Sequence, residues 1–186
     1  MWLGRLAHLA GKLQGFPAYR WLARRVRPDI EIREPSQSDV DLIPAALGLP
    51  PPKHPYRPDS NVTNYVACAN SSIVGFVQLV RFPKERSPYE GYWLFSLEVR
   101  FRQRGAGIGR MLTRKVIERA TLDGANELSL LVYARNRPAV RLYEKLGFQR
   151  VQIPGLEEDL EKEAGTPGGR RIAMRLALTN RDGASE

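Results

Sequence analysis

Arg104-Gly105-Ala106-Gly107-Ile108-Gly109 lies between two apolar patterns of different period. Before it runs Tyr92-Trp-Leu-Phe-Ser-Leu-Glu-Val99, which reads as a buried strand. After it, Ile108, Met111, Leu112, Val116 and Ala120 recur at helical spacing. Three alternating glycines between a strand and a helix let the backbone pass close to a ligand and present N–H groups in a row. Those groups, with the helix dipole behind them, suit a phosphate or pyrophosphate. Arg100, Arg102, Arg104, Arg110, Arg114, Lys115 and Arg119 surround the loop, against one acid, Glu118.

The net charge of +9 invites a nucleic-acid reading, so its distribution matters. It is concentrated in two places. One is the region 100–119 around the glycine loop. The other is residues 1–28, with Arg5, Lys12, Arg20, Arg24, Arg25 and Arg27 and no acid. Each region contributes six net positive charges, so the rest of the chain is mildly acidic. The first patch fits a phosphorylated cofactor, which argues against nucleic acid as the partner.

The 186 residues allow one domain plus a short extension, and 42% hydrophobic residues is ordinary for a globular protein. A single cysteine, Cys68, excludes an internal disulfide framework. With only two histidines, far apart, the sequence gives no reason to expect a metal site. No apolar run approaches the roughly 20 residues needed to cross a bilayer, and a cytoplasmic location is the default expectation.

Residues 1–28 read as a basic amphipathic extension, with Trp2, Leu3, Leu6, Leu9 and Leu13 on one helical stripe and a break near Gly15-Phe16-Pro17. It fits a secretory signal poorly, because Arg5, His8 and Lys12 interrupt the apolar run. Packing on the domain, or on a sister subunit of a homodimer, is the plain reading; a peripheral membrane contact is the alternative.

Residues 29–180 read as one domain, with a tail at 181–186. Ile30–Arg33 alternates as an edge strand, and Ser36–Asp39 offers caps for a short helix through Leu47. A proline-rich loop follows over 48–59. The segments 65–69 and 73–80 form a hairpin about Asn70-Ser71-Ser72. Beyond the glycine-loop helix come a strand over 128–133, a helix opened by Asn136 and closed by Gly147, and strands over 148–153 and 171–178. An acidic segment, 157–163, separates the last two. This order predicts an α/β or α+β fold, a mixed sheet with helices on both faces.

Two known phosphate loops fail on spacing. A dinucleotide loop needs Gly-x-Gly-x-x-Gly, and Arg110 stands where its last glycine belongs. A P-loop needs Gly-Lys-Ser/Thr, which does not follow. Past Gly109 comes Asn136-Arg-Pro-Ala-Val-Arg-Leu-Tyr143-Glu-Lys-Leu-Gly147-Phe148. Here the chain resembles the GCN5-related N-acetyltransferase (GNAT) family over roughly residues 30–178. Arg104-x-x-Gly107-x-Gly109 resembles that family's acetyl-CoA pyrophosphate motif, and the second segment resembles its Asn-x-x-Ala-x-x-x-Tyr-x-x-x-Gly-Phe helix.

The resemblance implies a mostly antiparallel central sheet, with acetyl-CoA as co-substrate in a splay between two central strands. Main-chain groups of Leu97 and Val99 would pair with the pantetheine arm. The backbone of Arg104, Gly105, Ala106, Gly107, Ile108 and Gly109 would hold the pyrophosphate, with Arg110 near the phosphates. Asn136 would fix the cofactor near the gap. Tyr143, seven residues further along the same helix face, would give a proton to the departing thiolate. The acceptor would be a primary amine on a small molecule or peptide.

The base is open. Strict alternation places Trp93, Phe95, Leu97 and Val99 on one strand face and Glu98 on the other, so that face carries no acid. Glu98, Glu90 and His54 are the candidates. A non-catalytic acyl-CoA-binding or nucleic-acid-associated module of the same fold is the alternative function.

Overall fold

Asn70 and Ser71, both left-handed at φ 47° and 63°, turn the chain between two long central strands. Around this hairpin the computed structural model describes residues 29–50, 60–163 and 169–178. The extension 1–28, His54 and the tail 181–186 lie outside the described residues. The elements are β1 (Ile30–Arg33), α1 (Gln37–Leu47), β2 (Val62–Ala69), β3 (Ser72–Phe82), β4 (Gly91–Val99), α2 (Ile108–Leu122), β5 (Glu127–Tyr133), α3 (Arg137–Glu144), β6 (Gln149–Val151), α4 (Glu157–Lys162) and β7 (Arg171–Ala177). The strands form one sheet in the order β1-β2-β3-β4-β5-β7-β6. Every neighbouring pair is antiparallel except β4–β5. The fold is therefore the expected mixed, mostly antiparallel sheet with helices on both faces. No helix among the described residues is long and apolar enough to cross a membrane.

Alternation along the strands sorts the core into two layers. On one face Leu112, Val116 and Ala120 of α2 and Val140 and Tyr143 of α3 pack on Val77, Leu79, Leu94, Leu128, Leu130 and Met174. On the other face there are two separate clusters. Ile43 of α1 covers Val66, Ile73 and Phe76. Ile153, Leu156 and Leu160, around α4, cover Trp93 and Ala173. Each large buried aliphatic or aromatic side chain contributes about 1.5–3 kcal/mol relative to exposure.

Local chemistry explains the helix ends. Ser36 caps α1, accepting from the Asp39 amide, while the Asp39 carboxylate accepts from the Ser36 amide in return. The same carboxylate pairs with Arg33 at 2.6 Å, tying β1 to the helix start. Asn136 caps α3, its Oδ1 accepting from the Ala139 amide at 3.3 Å. Gly147 is not the cap residue itself: Lys145 closes α3, and Gly147 makes the left-handed turn two residues later, at φ 93°.

The strict alternation expected along β4 fails. Phe76 pairs with Glu98, yet Gln78 pairs with Phe95, so β4 carries one extra residue opposite Val77. Ser96 absorbs it at φ 52°, a left-handed conformation inside a strand. The insertion reverses the phase of everything after it. Leu97 and Val99 join the α2 side of the sheet, with Leu94. Glu98, cross-strand from Phe76, shares the opposite face with Phe95 and Trp93. The acid that alternation removed from the aromatic face therefore stands on it.

Candidate active site

β4 and β5 pair in parallel only over Tyr92↔Leu128, Trp93↔Ser129 and Leu94↔Leu130. β5 goes on to Tyr133, held along its other edge by β7 from Glu127↔Ala177 to Tyr133↔Arg171, while its pairing with β4 stops at Leu130. From Phe95 to Val99 the β4 edge facing β5 therefore has no strand partner among the described residues. A gap opens in the middle of a seven-stranded sheet, with unpaired main-chain groups along one wall.

The glycine loop lies at the end of that gap. Gly107 is the N-cap of α2, at φ 91° and ψ −1°, and no side chain among the described residues caps the helix start. Gly105 is also left-handed, at φ 85°. A Cβ on Gly105 or Gly107 would meet no protein atom within 4 Å, so the loop backbone faces open space. One residue into α2, a Cβ on Gly109 would lie 3.9 Å from Leu97, 3.8 Å from Val99 and 3.4 Å from Leu142. The structure thus brings the open strand edge, the helix start and α3 together at one point. The buried Oε1 of Gln103, in the same loop, has no hydrogen-bond partner among the described residues. Uncapped amides, room where side chains are missing and exposed Arg102 and Arg110 fit the diphosphate of acetyl-CoA.

Arg104 is exposed but folds back along the end of β4. Its Nε donates to the Val99 carbonyl at 3.0 Å, its Nη2 lies 4.0 Å from Glu98, and its guanidinium sits over the Phe101 ring. Burial pushes the Glu98 carboxyl above the usual carboxylate range, and the Arg104 charge opposes that only in part. Tyr143 is 5% exposed and packs edge-on to Phe148 at 5.6 Å. No group among the described residues hydrogen-bonds its hydroxyl. Burial holds this phenol well above its ordinary pKa, and the Glu98 charge adds to the shift. The Glu98 charge is therefore felt at the Tyr143 hydroxyl.

Asn136 is exposed, with its Oδ1 engaged as the α3 cap. Glu90 does not join the site. It precedes β4 and is exposed, and its carbonyl accepts from Trp93 Nε1 at 3.2 Å. Eight residues of strand separate it from Glu98, about 25 Å at the usual rise. Sequence reasoning also missed three residues. Gln78 Nε2 donates to Asn64 Oδ1 at 3.0 Å, and Ser96 Oγ donates to Gln78 Oε1 at 3.0 Å. The available signal was polar residues inside otherwise apolar strands.

The profile of the Acetyltransferase (GNAT) family matches residues 31–148, well over half of the chain. The chain belongs to the GNAT family. It is 32% identical to N-acetyltransferase 8 of Rattus norvegicus over 95 residues, 51% of this chain and 43% of that protein. It spans less than half the length of the curated relatives it matches. Among solved structures it is similar to the ribosomal-protein-S18-alanine N-acetyltransferase of Escherichia coli, with a TM-score of 0.62, 20% identity and coverage of 84% and 99% of the two chains. A Bacillus anthracis structure in complex with acetyl coenzyme A gives a TM-score of 0.61 at 18% identity, covering 81% of this chain and 98% of that one. At these identities the structural likeness bears on the fold.

Proposed function

We propose that this GNAT chain moves an acetyl group from acetyl-CoA to a primary amine by direct attack of the neutral amine. The observation that carries the reading is the early end of β4–β5 pairing, beside an uncapped helix start. The bound co-substrate supplies an activated thioester. The α2 amides, including those of Ile108, Gly109 and Arg110, hold its diphosphate. The Leu97 main chain and the Val99 amide align its pantetheine arm, with the Val99 carbonyl engaged by Arg104, and Asn136 borders the gap.

An alkyl amine is mostly protonated at neutral pH and must lose a proton to attack. Glu98 takes that proton. Its raised pKa makes it a stronger base than an exposed carboxylate, and Arg104 keeps it from rising further. Tyr143 gives a proton to the departing thiolate. Burial keeps its phenol protonated across physiological pH, the state a donor needs. The ammonium gives one proton to Glu98, which passes it to solvent. As the C–N bond forms and the C–S bond breaks, the adduct nitrogen gives its second proton to the same carboxylate and Tyr143 protonates the thiolate, and exchange with solvent resets both groups.

Thiol release from acetyl-CoA over a panel of primary amines tests the reading. Amine-dependent release that collapses in Glu98→Gln and Tyr143→Phe is expected. Binding of acetyl-CoA without turnover on any amine would favour an acyl-CoA-binding module instead.

A further inference from the structure

Ser96 combines two features that packing alone does not explain. It holds φ 52° in the middle of a central strand, a conformation that disfavours a side chain there. It is also exposed, in the stretch of β4 that β5 has left unpaired. Its hydroxyl is the outer end of an oriented row that crosses three strands. Asn64, 2% exposed, accepts from the Gln78 amide nitrogen, and Gln78 Oε1 accepts from Ser96 Oγ. The row runs across the face that carries Glu98 and Phe95. It lies between the cluster under α1 and the cluster under α4, where no helix of the described residues covers that face.

The direction of the row determines what Ser96 can recognise. Its only proton is spent on Gln78, so it offers lone pairs to the cleft. Glu98, two residues along the strand and under about 7 Å away, also offers acceptors. A neutral primary amine has two N–H bonds and one lone pair. We propose that Ser96 is a specificity-determining residue for primary amines: one amine N–H binds Ser96 Oγ and the other binds Glu98, leaving the lone pair aimed into the gap. Gln78, held by Asn64, is the positioning residue that stops the Ser96 hydroxyl from turning outward as a donor. A secondary amine has one N–H and leaves one of the two acceptors unmatched. The inference rests on the acyl-transfer reading above.

The test compares n-butylamine and benzylamine, each with its N-methyl derivative, at saturating acetyl-CoA. Ser96→Gly is the cleanest variant, because glycine adopts φ 52° freely and its melting temperature should not fall. Wild type should prefer each primary amine. Ser96→Gly should narrow that preference about tenfold, through a higher KM for the primary amine, with the acetyl-CoA KM unchanged. Gln78→Met should narrow it in the same direction, by about threefold, although it touches no substrate. An unchanged preference in an active Ser96→Gly enzyme overturns the inference and leaves the acyl-transfer reading standing. No thiol release with any amine, from wild-type protein that binds acetyl-CoA, overturns both.

Discussion

Tyr143 and Glu98 owe their chemistry to burial more than to identity. The same phenol on the surface would be an ordinary tyrosine; in the core, against Phe148, it stays protonated and donates to no protein group among the described residues. Tyr143→Phe should lower kcat by about 10–1000-fold, within and just below the usual range for a lost acid, with acetyl-CoA binding unchanged by calorimetry. As the proposed base Glu98 acts in its carboxylate form, and desolvation raises its pKa. Activity should therefore rise with pH through an apparent pKa above the free-glutamate value of about 4.3. That acid limb should vanish in Glu98→Gln, whose residual rate should follow the ionisation of the amine alone. A limb that persists in the variant would assign the base elsewhere.

Among the elements, α2 carries the most constraint. Its approach to the sheet needs a residue without a side chain in β3. A Cβ at Gly75 would stand 2.9 Å from Leu112, 3.1 Å from Ile108 and 3.2 Å from the Glu98 carbonyl. Gly75→Val should cost about 1–3 kcal/mol in urea unfolding, as overpacked cores do, and should weaken acetyl-CoA binding by lifting the helix start. The glycine loop and the Asn136 cap were legible in the sequence because each is written in adjacent residues and local hydrogen bonds. The phase of β4 was not. Ser96, Leu97 and Glu98 carry no turn signal, and the extra residue becomes visible only when β4 is laid against Phe76 and Gln78 of β3. A one-residue register change moved Glu98 to the opposite face, and with it the candidate base.

At the scale of the whole molecule, the sheet is held shut at its flanks and left open in its middle. Arg33 holds the Asp39 carboxyl below the carboxylate range, and Arg171 does the same for Glu163 beside β7. Both acids have depressed folded-state pKa values. Their contribution is present above the unfolded carboxylate range near pH 4 and is lost as pH falls below that range, through their depressed folded-state values. Thermal melts should show stability falling on acidification, with a shallower fall in Asp39→Asn. Glu98 has the opposite sign: its stabilising protonation is lost as pH rises through its raised pKa. The opening between β4 and β5 could not be read from either strand alone, since it arises where β5 continues against β7 after leaving β4. It is also the part on which the proposed acyl transfer depends. Calorimetric titration of the folded chain with acetyl-CoA is the most direct measurement. One site per chain, abolished by Gly107→Glu through steric block and charge repulsion, is the predicted result. No binding heat at several temperatures, from a chain whose melting transition is intact, would contradict it.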